Sequence, residues 1–151
     1  MIDWSAIDTV LLDMDGTLLD LHFDNHFWQH HLPLRFAERH GLDPVASTQA
    51  LHERFAREQH RLRWYCTDHW SAELGLDVIA LKREVEHLIA ERPWASAFLR
   101  ALGAANRPRI LITNAHRDSL GLKLRLTGIG AGLDLVREAE EHGGALARRE
   151  A

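Results

Sequence analysis

A chain of 151 residues, 46% hydrophobic and 26% charged, is long enough for one domain with a substantial core, or for a small domain carrying an insertion. Its net charge of −4 and pI near 6.2 offer no basic field, so neither a nucleic-acid polymer nor a membrane surface is an expected partner. Cys66 is the sole cysteine, which excludes an internal disulfide; the start Met1-Ile2-Asp3-Trp4 lacks a signal-peptide pattern and no apolar run approaches ~20 residues, so a soluble cytoplasmic protein is expected.

Thr9 to Leu12 reads as a short buried parallel strand, apolar on both faces and closed by Asp and Gly. From about Asp20 to Glu91 the pattern turns helical. Phe23, Phe27, Leu34 and Phe36 lie on an early helix in which Pro33 predicts a kink or break. Asp43-Pro44 starts another, with Leu51, Phe55 and Leu62 on one apolar face. An aromatic stretch follows (Trp64, Tyr65, Trp70), then a stop and restart at Gly75-Leu76-Asp77, then a helix carrying Val78, Leu81, Val85, Leu88 and Ile89. Pro93 opens a further helix that Gly103 ends. Arg109 to Asn114 is a second strand, and a helix from about Arg117 to Leu126 follows it. The order is that of a βαβ unit interrupted by a helical insertion, which makes the fold α/β. From Arg137 to Ala151 the chain is polar and reads as a frayed helix or a tail.

The chemistry concentrates in Asp13-Met14-Asp15-Gly16-Thr17. Residues at i and i+2 of an extended chain project to one side, so Asp13 and Asp15 converge where the first strand stops. Two carboxylates that close repel unless a cation or a proton lies between them. Gly16 permits a sharp turn, and Thr17 adds a hydroxyl. A calcium loop requires Gly at its sixth position and Glu at its twelfth; Leu18 and Asp24 stand there instead. A pair of helix caps is the structural alternative. A phosphotransfer site is the third reading, and the second strand favours it. Thr113 and Asn114 follow that strand and precede a helix, the place where open α/β sheets bind ligands and helix N-termini favour phosphate.

Asp13-Met14-Asp15-Gly16-Thr17, with Leu111-Ile112-Thr113-Asn114 after a helical insertion, resembles the haloacid dehalogenase-like hydrolases. Phe23-Asp24-Asn25, Phe27-Trp28, Trp64-Tyr65-Cys66, Leu74-Gly75-Leu76-Asp77 and Thr113-Asn114-Ala115-His116 look like the bacterial GMP/IMP nucleotidases within that family. The resemblance covers roughly residues 6 to 136. It implies a Rossmann-like core at 1–18 and 93–136, a helical cap at 19–92 and a divergent tail at 137–151. It also implies a Mg²⁺-dependent phosphomonoester hydrolase acting on a purine nucleotide such as GMP or IMP. Asp13 would be the nucleophile and Asp15 the acid and base. Mg²⁺ would be held by Asp13 and by the Asp15 backbone carbonyl. Thr113 and Asn114 would bind phosphate, with Gly16 beside them.

The sequence also departs from that family. The lysine expected well after the second strand is absent: Lys82 lies in the insertion, and Lys123 is placed on an outer helix as a poor stand-in. Glu140-Glu141 sits in polar sequence where an apolar strand should carry an acidic pair. The third, fourth and fifth strands of the fold are expected to be missing, as in a truncated or frameshifted product. Thr9–Leu12 would then be an exposed edge able to self-associate. Impaired turnover follows from the missing cation and carboxylates. The alternatives are a non-catalytic module that binds phosphate or pairs strands, and a phosphatase for another small phosphomonoester.

Secondary features carry plainer expectations. His22, His26 and His30 make an exposed polar face rather than a zinc ladder. Trp28, Trp64, Tyr65 and Trp70 pack the cap core, with purine stacking as the alternative for the substrate side. His116 either reaches the site or simply enters a helix. Cys66 is buried and inert.

Overall fold

The computed structural model describes residues 2–139. Three parallel strands, β1 (Val10–Leu12), β2 (Arg109–Thr113) and β3 (Leu135–Glu138), form a sheet in that spatial order. Val10 pairs with Arg109 and Leu12 with Leu111; Ile110 pairs with Leu135 and Thr113 with Glu138. A third strand is therefore present, contrary to expectation, and the core extends past residue 136. Its polar residues Arg137 and Glu138 disguise it: all four β3 residues are only half-buried, as on a sheet margin. Glu140 and Glu141, like the rest of the tail, lie outside the described residues.

Between β1 and β2 run α1 (His22–His26), α2 (Leu32–His40), α3 (Pro44–Glu58), α4 (Thr67–Leu74), α5 (Val78–Glu84) and α6 (Ala95–Ala104); α7 (Arg117–Leu126) crosses from β2 to β3. Their ends follow their caps. The Asp43 carboxylate accepts from the N–H groups of Val45 and Ala46, with Pro44 opening α3, and Asp77 accepts from Ala80 at the start of α5. Gly41 and Gly75 adopt left-handed φ values of 62° and 66° to end α2 and α4. The expected break at Pro33 is not a break. A π-helical turn over Phe27–His31 joins α1 to α2, and its wider ring seats Pro33 at the beginning of α2. That turn also rotates His31 toward the histidine row, so that it stacks on His26 at 6.4 Å.

Two apolar clusters result. One joins the sheet to α6 and α7 through Leu12, Met14, Leu18, Leu99, Leu111, Leu120 and Ile129. The other belongs to the inserted helices, through Phe23, Phe27, Leu32, Leu51, Phe55, Trp70 and Val78, and Leu122 of α7 packs into it. The insertion enters and leaves side by side: Leu19 bridges Glu91, the Asp20 N–H donates to the Ala90 carbonyl, and the Arg92 N–H donates to the Leu18 carbonyl, both at 2.9 Å. Leu11 (62% exposed) and Ile112 (39%) share the sheet face that these helices leave open.

Asp134, just before β3, accepts from the Arg109 guanidinium through both oxygens at 2.8 Å and from the Arg109 N–H at 2.8 Å. These bonds hold its carboxyl down to about 2. A depressed carboxyl stabilises the fold above its unfolded value of about 3.9 and loses that contribution as pH falls toward its folded value. The Asp134→Asn variant is accordingly expected to show a flatter fall in Tm between pH 4 and pH 2 than the parent; equal slopes in thermal melts would contradict this.

Candidate active site

β1 ends at Leu12, and the following turn is gathered around one acceptor. The Met14 carbonyl takes the N–H groups of Thr17, Leu18 and Leu19 at 3.3, 2.9 and 2.9 Å. Gly16 sits at φ +79°, where a side chain would strain the backbone and press on Leu21. Its carbonyl accepts from the Arg92 guanidinium at 3.0 Å, so the exit of the insertion braces the motif. The turn separates the two carboxylates by environment. Asp13 stays exposed, without a hydrogen bond or ion pair among the described residues; Asp15 turns inward. Thr17 is exposed. The strand register brings Thr113 out at the same end of the sheet. Thr113 is buried, and its hydroxyl oxygen accepts from the Ala115 N–H at 3.1 Å, which shapes the turn into α7; Asn114 is exposed beside it.

Lys123 is the main correction. Instead of lying on the outside of α7, it is 2% exposed and donates to Asp15 Oδ1 and to Asp24 Oδ2, both at 2.6 Å. Lys82, also 2% exposed, donates to the other oxygen of Asp24 at 3.2 Å and lies 4.8–5.3 Å from the ring centroids of Phe23, Phe27 and Trp28. Two half-buried carboxylates and two buried ammonium groups thus form a chain: Asp15, Lys123, Asp24, Lys82. Burial raises the Asp15 carboxyl above its ordinary value; Lys123 opposes the rise and Asp24 reinforces it. Burial pushes Asp24 upward too, but Lys82 and Lys123 together outweigh it and hold that carboxyl low. Burial depresses Lys82 against the pull of Asp24. The sequence carried a signal for Lys123 in its spacing: His116, Ser119, Leu120, Lys123 and Thr127 share one helical face, and that face turns inward. Asp24 gave no such signal, because its partners stand 58 and 99 residues away.

A cavity of about 490 Å³ opens over this chain, floored by Asp15 and Asp24 and walled by Trp28, Trp64, Tyr65 and Phe55. The aromatics serve both expected ends. Trp28 and Trp64 lie 5.5 Å apart and meet Phe55 and Trp70 edge to face, which is core packing, while Tyr65 is 43% exposed toward the cavity. A smaller recess beneath is lined by Lys82, Lys123, Thr67 and His116. His116 both caps α7 and faces this recess, with Nδ1 2.8 Å from the Thr67 hydroxyl. Cys66 is buried and caps α4, its sulfur accepting from the His69 N–H.

Two oxygen-rich places bear on a cation. Asp68, His116 and Asp118 bring one ligand atom each within 4.8 Å of one another, but His116 already pairs with both carboxylates, at 3.4 and 3.7 Å. The uncommitted Asp13 carboxylate, at the end of β1, suits a hard divalent ion such as Mg²⁺, which prefers oxygen ligands and keeps several waters.

A family model for the haloacid dehalogenase-like hydrolases matches residues 7–149. The chain belongs to that family. It is 44% identical over 142 residues to the GMP/IMP nucleotidase YrfG of Escherichia coli K12, and equally to that of Shigella flexneri. The matches cover 94% of this chain and 64% of each relative, so the chain spans just under two thirds of the curated relatives it matches. Among solved structures, a HAD phosphatase from Thermococcus onnurineus superposes with a TM-score of 0.75 at 19% identity, over 87% of this chain and 62% of that one. A HAD-superfamily hydrolase from Geobacter sulfurreducens gives 0.55 at 20% identity, over 88% and 63%. Both establish the same Rossmann-like α/β fold. No helix among the described residues is long and apolar enough to cross a membrane.

Because the four charges balance, removing one partner is costlier than removing a matched pair. Asp24→Asn leaves two ammonium groups against one carboxylate and is expected to destabilise the fold by ~3–5 kcal/mol; adding Lys82→Met should restore part of that loss. Urea titrations of the single and double variants read this directly, and a double variant less stable than Asp24→Asn would disprove the balance.

Proposed function

We propose that the chain is a Mg²⁺-dependent phosphomonoester hydrolase of nucleoside 5′-monophosphates, with GMP and IMP as substrates. The observation that carries this reading is the division of labour between Asp13 and Asp15. One carboxylate is exposed and unpaired at a strand end, while the other is half-buried, raised, and held by Lys123. The 44% identity to nucleotidases named for GMP and IMP supports the substrate class.

In this reading an Asp13 oxygen attacks phosphorus as the P–O ester bond breaks, giving an aspartyl-phosphate and the nucleoside. In its protonated form, which burial favours, Asp15 gives its proton to the departing 5′ oxygen. As a carboxylate it then takes a proton from the water that attacks the same phosphorus, which frees Asp13 and releases phosphate. Thr113 and the Asn114 N–H bind the phosphoryl oxygens beside the N-terminus of α7. Lys123 fixes Asp15 and contributes positive charge close to the phosphoryl group. Bound through Asp13 and the Asp15 carbonyl, Mg²⁺ would neutralise charge on the transferring group. The inserted helices act as the cap that shields these steps from water.

Phosphate release from IMP and GMP is expected to vanish with EDTA and with Asp13→Asn. Release that survives Asp13→Asn would refute the assignment.

A second reading, self-association of two copies through β1, draws support from the sheet order, which leaves one side of β1 unpaired among the described residues, and from Leu11 on the open face. Size-exclusion chromatography should then show a mass that rises with concentration and falls back in Leu11→Lys; a concentration-independent monomer rules it out.

A further inference from the structure

The cavity above Asp15 has a rim that the phosphoryl chemistry does not use. Asn25 and Gln29 stand one helical turn apart where α1 enters the π-turn, and Gln59 caps α3 across the opening. Their three amide groups are exposed and make no hydrogen bond to any described residue. Trp64 and Tyr65 line the same cavity as these amides and Asp15. Trp28 and Trp64 are already in contact, so a flat ligand cannot slide between them and must lie on the outward side.

From this arrangement we infer a purine subsite in the insertion, with Trp64 and Tyr65 as the stacking surface and Gln29 and Gln59 as the readers of the base edge; the inference rests on the nucleotidase reading above. An amide presents a donor and an acceptor side by side, the complement of the O6 and N1–H edge of a 6-oxopurine. A cavity of about 490 Å³ holds a whole nucleoside, whereas a small phosphorylated sugar would leave much of it to water. A two-ring base covers more of the indole and phenol faces than a one-ring base, so stacking favours purines over pyrimidines. The phosphoryl end then falls toward Asp15 on the cavity floor, two residues along the chain from Asp13.

Isothermal titration of the full chain with inosine and with uridine, neither of which carries phosphate, isolates this subsite from the chemistry. Inosine is expected to bind about tenfold more tightly than uridine. The double variant Gln29→Ala/Gln59→Ala should lose about tenfold in inosine affinity at unchanged Tm, since both side chains are exposed and unpartnered. No heat from inosine, or equal affinity in the double variant, overturns the subsite. The two readings fail separately: phosphate release from IMP without inosine binding removes the subsite alone, and inosine binding without phosphate release removes the hydrolase reading alone.

Discussion

The ammonium of Lys123 between Asp15 and Asp24 is the contact on which the rest of the site depends. A lysine this deeply buried survives as a cation only if its desolvation is offset by close anions, and two at 2.6 Å do so. Those anions come from different parts of the fold, one from the turn after β1 and one from the first inserted helix. The insertion is therefore fastened to the sheet by charge as well as by the apolar contact of Leu122. Asp24 in turn needs Lys82, and Lys82 is wedged among three aromatic rings of the inserted helices. Electrostatic balance thus links the reacting end of the sheet to the aromatic walls of the cavity.

Much of this could be read from the chain, and for identifiable reasons. Asp13 through Thr17 and Thr113 declare themselves because the strands they close are short, apolar and punctuated by turn residues. Helix limits at Asp43, Gly75 and Asp77 follow from local capping chemistry, which needs no tertiary knowledge. Three things escaped. Lys123 looked solvent-facing because lysine usually is, and the mostly polar neighbours on its helical face, His116, Ser119 and Thr127, did not mark that face as inward. β3 looked like the start of a hydrophilic tail because margin strands tolerate charge, and Arg137 and Glu138 satisfy register without supplying hydrophobicity. The π-turn at Phe27–His31 escaped because a Pro at position 33 normally signals interruption, and nothing local distinguishes a widened turn from a broken one.

The exposure of Asp13 and the partial burial of Asp15 also explain why two identical side chains two residues apart can take different parts. The Met14 carbonyl gathers three N–H groups, tightening the chain so that the second carboxyl swings inward while the first stays at the strand tip. In the proposed reaction, environment rather than residue type would separate nucleophile from acid.

The side-by-side entry and exit of the insertion has an evolutionary consequence. Leu18–Asp20 and Ala90–Arg92 run as neighbours, so their backbones stand about 5 Å apart, one strand spacing. Everything between them hangs from a single two-stranded stalk. A segment attached in this way can be exchanged for a longer, shorter or unrelated one while the sheet still sees the same pair of ends, because the cost of closing a loop grows only slowly with its length. The stalk behaves as a socket, and a replacement seated in it has to supply one carboxylate where Asp24 meets Lys123.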